Sequence, residues 1–104
     1  MSGESGPAIA PRARVSRPAV ANDFVAPRSP LERSLACLWE EVLAIEPVGV
    51  DDDFFDLGGE SLHAFSLITR VAREFGTVLT PREVFEHPTV AAMAALVSAR
   101  RPAD

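Results

Sequence analysis

Apolar positions recur at helical spacing along three stretches of the chain. Leu31, Leu35, Leu38, Trp39, Val42 and Leu43 stand three, four and seven residues apart and predict one buried stripe, with Glu32, Glu40 and Glu41 on more open faces. Ser29-Pro30-Leu31-Glu32 opens this helix with a capping serine, a proline at the first helical position and a glutamate reaching back. Pro47 and Gly49 are expected to end it. Ala64, Leu67, Ile68, Val71, Ala72 and Phe75 predict a second helix from near Ser61, terminated at Gly76, with His63, Phe65, Ser66 and Arg70 outside its apolar stripe. Thr80-Pro81-Arg82-Glu83 repeats the capping signature and opens a short third helix carrying Val84 and Phe85, which Pro88 closes. Thr89 caps a fourth, in which Val90, Met93, Ala94, Leu96 and Val97 share a face up to Arg100. No stretch alternates as a strand should, and Val48 to Gly59 reads as a loop with one short helical turn. The expected fold is all-α, a small four-helix bundle of three longer helices plus a short third one.

Residues 1–28 lack any apolar period and are rich in Pro, Arg, Ser, Gly and Ala, so they are expected to be a flexible arm or interdomain linker that buries little. The helical domain then spans 29–100, and 101–104 form a short tail. The initial Met and the short C-terminus suit a free-standing protein, and the Pro-rich arm equally suits a domain within a longer chain. A length of 104 residues with 47% hydrophobic and 24% charged positions accommodates one domain of this kind.

Charge narrows the function. Residues 1–30 carry four arginines against Glu4 and Asp23, whereas residues 31–104 carry six against thirteen acids. An acidic folded part argues against nucleic-acid binding, which needs a basic face. The single cysteine, Cys37, can form no internal disulfide and no metal site by itself; its place on the first helix reads as packing filler. No apolar run approaches the roughly 20 residues of a membrane span, and the N-terminus lacks the apolar centre of a secretory signal. A cytoplasmic monomer that contacts neither membrane nor nucleic acid is expected.

The informative chemistry lies in Asp53-Phe54-Phe55-Asp56-Leu57-Gly58-Gly59-Glu60-Ser61-Leu62. Taken singly, Gly58-Gly59 is a tight turn, Ser61 a capping residue and the aspartates a solvated loop. Taken together, two glycines clear the approach to a serine at a helix start, where free amides and a positive dipole end tolerate a phosphate. Ser61 is thus placed to receive a phosphorylated group. A nucleophile elbow would need Gly-x-Ser-x-Gly on a strand-to-helix turn, but His63 stands where the second glycine should, and no sheet is predicted. Neither His63 nor His87 is expected to serve Ser61 as a base, so catalysis is not expected. The Asp51–Asp56 run also lacks the order of a calcium loop, and no metal site is assigned.

This string, followed by a helix ending Phe75-Gly76, resembles the thiolation motif of peptidyl carrier proteins of nonribosomal peptide synthesis. Phe24-Val25-Ala26-Pro27-Arg28-Ser29-Pro30-Leu31-Glu32 is similar to the linker between an adenylation domain and its carrier, and Phe85-Glu86-His87-Pro88-Thr89-Val90 to the junction between the third and fourth helices. The resemblance implies a carrier whose Ser61 receives 4′-phosphopantetheine from coenzyme A, through a separate phosphopantetheinyl transferase with its own magnesium ion. The arm's thiol would hold an aminoacyl or acyl thioester. Gly58 and Gly59 would keep the approach open; Leu62, His63 and Phe65 would form an apolar patch for partners, namely an adenylation enzyme or domain and downstream condensation or tailoring enzymes. Phe54 and Phe55 read as core anchors. Carriers of polyketide and fatty-acid synthesis usually show Asp before the serine and a strongly acidic second helix; Glu60, Arg70 and Arg73 favour the peptidyl type. A polyketide-type acyl carrier and a helical interaction domain without an arm are the alternatives.

Overall fold

In a computed structural model, which describes residues 15–18, 20 and 23–100, the four expected helices are present and pack around Trp39 and Phe54. Helix α1 (Pro30–Leu43) opens as its sequence requires: the Ser29 hydroxyl accepts the Glu32 N–H at 3.1 Å, and Leu35, Ala36, Leu38, Trp39 and Val42 turn inward. Its end departs from expectation. Ala44, not Pro47 or Gly49, closes the helix in a left-handed conformation, φ 57°. Such backbone costs a non-glycine residue about 1–2 kcal/mol, and it turns Ile45 into the core.

That early stop releases Ile45–Glu46 to act as a short strand, β2, which pairs in parallel with β1 (Val15–Ser16). Strand pairing was not expected, nor was a packed arm. The Arg17 guanidinium grips Asp52 through two hydrogen bonds, with Nε 2.6 Å from Oδ2. Asp52 is fully buried, and its Oδ2 also accepts the Gly49 N–H at 2.9 Å. Arg17 lies over the Phe24 ring, Val20 and Val25 pack against the core, and the Val25 carbonyl accepts the Val50 N–H at 2.9 Å. The arm thus buries apolar and charged groups that its composition gave no reason to bury. The expectations for residues 1–14, 19, 21, 22 and the 101–104 tail lie outside the described residues.

Helix α2 (Ser61–Phe75) buries Ala64, Leu67 and Val71 and ends at Gly76 in the left-handed region, as expected. Helix α3 (Pro81–Glu86) is fastened by a reciprocal box, in which Thr80 and Glu83 exchange side-chain-to-backbone hydrogen bonds at 3.1 and 3.0 Å. Helix α4 (Val90–Arg100) starts on the Thr89 hydroxyl, which accepts the Ala92 N–H at 3.1 Å, and buries Val90, Met93, Ala94 and Val97. Its Arg100 pairs with Glu83, and that guanidinium together with the Thr80 amide holds the Glu83 carboxyl down to about 2.

The loop between β2 and α2 is organised by its acids and by Phe54. Asp53 accepts the N–H groups of Phe55 and Asp56 at 2.8 and 3.1 Å, which makes one tight turn. Phe54 is fully buried, edge-on to Trp39 at 5.0 Å, and its N–H donates to the Pro88 carbonyl at 2.7 Å. Its carbonyl accepts the Gly59 N–H at 3.0 Å. A β-carbon on Gly59 would lie 2.4 Å from two carbons of the Phe54 ring, closer than side chains tolerate.

Two stability predictions follow from these contacts. Gly59→Ala forces the ring and the loop apart and should lower the unfolding free energy by roughly 1–3 kcal/mol in urea titrations. Arg17→Ala removes the guanidinium from a buried carboxylate and should lower it by about 1.5–3 kcal/mol; a wild-type midpoint would show the arm to be energetically idle.

Candidate functional site

Ser61 owes its position to the turn before it. Gly58 takes φ +101°, a conformation open to glycine and strained for side chains. Gly59 then lies flat on Phe54, and Glu60, extended at φ −129°, takes the N-cap position of α2. Ser61 is therefore the first helical residue. It is exposed, and its hydroxyl makes no hydrogen bond among the described residues. The capping is a reciprocal box: the His63 Nδ1 accepts the Glu60 N–H at 3.0 Å, and the Glu60 side chain faces the His63 N–H in return. A nucleophilic oxygen thus stands uncommitted at the positive end of a 15-residue helix, where exposed first-turn amides suit an anionic substituent.

Beside it, Leu62 and Phe65 are 77% and 54% exposed, which settles Phe65 as a surface residue. With Ser66, Thr69 and Arg70 they line a shallow groove along the outer side of α2. Arg70 at its far end pairs with Glu41 of α1. Leu62 and Phe65 line this groove together, and Ser61 precedes them at the start of the same helix.

Four other site expectations change. His63 is half-buried and folded back onto Glu60, so it belongs to the cap and not to the open apolar patch. Gly59 has its missing side chain toward Phe54, so its smallness serves packing, while only Gly58 faces open space on the approach. Cys37 is exposed on α1 and fills no gap in the core. Phe54 and Phe55 do anchor the loop, and Phe55 stacks on the exposed Phe85 ring at 4.7 Å, nearly parallel. The acid run is not uniformly solvated, because Asp52 is buried under Arg17. The His63 cap was signalled by its place three residues after Glu60; the Arg17–Asp52 pair, 35 residues apart, had no local signal. Among the described residues no group of His, Cys, Asp or Glu is gathered as metal ligands.

These features fit a covalently attached phosphate ester: an accessible serine oxygen, an open helix terminus and an apolar flank. A family model described as phosphopantetheine attachment site matches residues 33–97. Chondramide synthase cmdD of Chondromyces crocatus is 40% identical over 91 residues, covering 88% of this chain; the chain spans 2% of that synthase's own length. The solution structure of an active-site mutant peptidyl carrier protein superposes with a TM-score of 0.77 at 34% identity, over 84% of this chain and 97% of that one. A peptidyl carrier protein solved in complex with the phosphopantetheine transferase Sfp and coenzyme A gives 0.73 at 38% identity, over 74% of this chain and all of that one. Matched over most of its length by the family model and by both solved carriers, the chain belongs to the phosphopantetheine attachment family, as a carrier domain of the peptidyl type.

Proposed function

We propose that this chain is the peptidyl carrier of a nonribosomal peptide pathway and that Ser61 is its attachment residue. The observation that carries the reading is the free, exposed Ser61 hydroxyl at the first position of α2. Its Oγ attacks the pantetheine-bearing phosphorus of coenzyme A. The Oγ–P bond forms, the P–O bond to the rest of the pyrophosphate breaks, adenosine 3′,5′-bisphosphate leaves, and the serine proton passes to a base of a phosphopantetheinyl transferase. Once attached, 4′-phosphopantetheine supplies the thiol that holds an aminoacyl or acyl group as a thioester.

The chain's own residues present and orient. Gly58 leaves the approach to Ser61 clear, the α2 terminus favours the phosphate charge, and Leu62 and Phe65 offer the partner an apolar face next to the attachment oxygen. The partners are an adenylation enzyme or domain and downstream condensation or tailoring enzymes. The chain itself is non-catalytic in this reading: His63 is engaged in the helix cap, and the His87 backbone closes α3 on the Glu83 carbonyl. Glu60 before the serine, and Arg70 and Arg73 on α2, support the peptidyl over the polyketide type. Among the described residues no helix is long and apolar enough to cross a membrane, which accords with work in the cytoplasm. The functional unit is proposed to include residues 15–28 with 29–100, given what Arg17, Val20 and Val25 contact.

Ser61→Ala should abolish the mass gain on incubation with coenzyme A and a broad-specificity transferase. Because Ser61 is not the cap, stability should stay within about 0.5 kcal/mol of wild type; a pantetheinyl mass on this variant would remove Ser61 from the role. Phe65→Ala should melt like wild type, since the ring is already exposed, yet lose roughly tenfold or more in kcat/KM for loading, the equivalent of burying one phenyl ring at an interface. Unchanged loading would place the docking face elsewhere.

A further inference from the structure

Serine is among the strongest N-cap residues and glutamate is not, so local preference would start α2 one residue later, with Ser61 as the cap. In that arrangement the Ser61 hydroxyl would accept an amide of its own first turn and face back over the helix end. The structure holds the other register. Glu60 is extended and sits at the cap, Ser61 is helical, and its oxygen is free. Two contacts oppose the shift. Gly59 is pressed on the Phe54 ring and tied to the Phe54 carbonyl, which fixes the chain on the N-terminal side. On the C-terminal side the His63 ring folds back, and its Nδ1 takes the Glu60 N–H at 3.0 Å. That bond requires a neutral ring with its proton on Nε2, and it satisfies one of the amides that a helix beginning at Ser61 leaves without a carbonyl partner.

We propose that His63 is a positioning residue for the attachment reaction: by capping Glu60 it keeps the helix in the register that leaves the Ser61 oxygen unbonded and outward. The inference rests on Ser61 being the attachment residue, and it assigns His63 a task other than partner contact. The imidazole touches neither the reacting oxygen nor coenzyme A. Its effect passes through the backbone of Glu60. Any side chain with an acceptor at the same reach should replace it, and glutamine is the usual one at this third helical position.

The test compares wild type, His63→Ala and His63→Gln by intact mass during modification with coenzyme A and a broad-specificity transferase. Circular dichroism confirms helical content, and the Glu60 amide exchange rate is followed by NMR. His63→Ala should remain helical, exchange the Glu60 amide faster and be modified roughly fivefold more slowly, the ratio that loss of one capping bond implies. His63→Gln should restore both rates. The proposal is overturned if His63→Ala is modified as fast as wild type, or if His63→Gln protects the Glu60 amide but stays as slow as alanine, which would make the imidazole a contact for the transferase. Absence of any mass gain on wild type would instead overturn the attachment reading itself, and this one with it.

Discussion

The Phe54 ring is enclosed by one distant group and two near ones: Trp39 of α1 edge-on at 5.0 Å, Phe55 at 5.3 Å, and the bare backbone of Gly59 against its Cδ2–Cε2 side. Its backbone reaches both ways, to the Pro88 carbonyl ahead of α4 and to the Gly59 amide ahead of α2. One buried aromatic residue therefore sets where two helices begin. The α2 terminus is fixed by packing and not by the serine within it, so Ser61 is free for chemistry. An exposed reactive group is held in place without being used as a structural group, because the structural duty falls on Phe54, Gly59 and His63.

The same loop ties down what precedes α1. Asp52 is buried, and a buried carboxylate is tolerable only with strong partners; the Gly49 amide and the Arg17 guanidinium supply them. The segment before the first helix thus completes the loop that carries the Asp53–Ser61 string. Movement of that segment would be felt at Asp52, whose neighbours Asp53 and Phe54 form the turn that leads to Ser61. The segment before α1 is thereby in mechanical contact with the loop that leads into α2.

On the outer side of α2, Leu62 and Phe65 remain uncovered while Ala64, Leu67 and Val71 of the same helix are buried. The helix therefore has two apolar faces of different purpose: an inner one that closes the bundle and an outer one beside Ser61 available to another protein. Single exposed apolar residues are ordinary. Their adjacency to a free serine at a helix terminus is what gives these two a functional sense.

The four helices were legible from periodicity and caps, because a 3.6-residue apolar repeat and the Ser29, Thr80 and Thr89 signals are local properties of the chain. The family was legible as well, through the long string around Ser61. What stayed hidden depends on contacts between distant residues. The β1–β2 pair and the Arg17–Asp52 bond join residues 30 and 35 positions apart, and no local preference announces them. Glycine in a sequence says that a side chain is absent, not which neighbour requires it: Gly58 answers to its own positive φ, whereas Gly59 answers to Phe54. The place of His63 three residues after Glu60 allows a cap, and the folded turn shows its ring committed to the Glu60 amide. Sequence alone determined the elements, since they are written in nearest-neighbour chemistry; tertiary structure decided the packed arm and the seating of Phe54 on Trp39 beneath the turn, since both follow from which distant groups exclude water together.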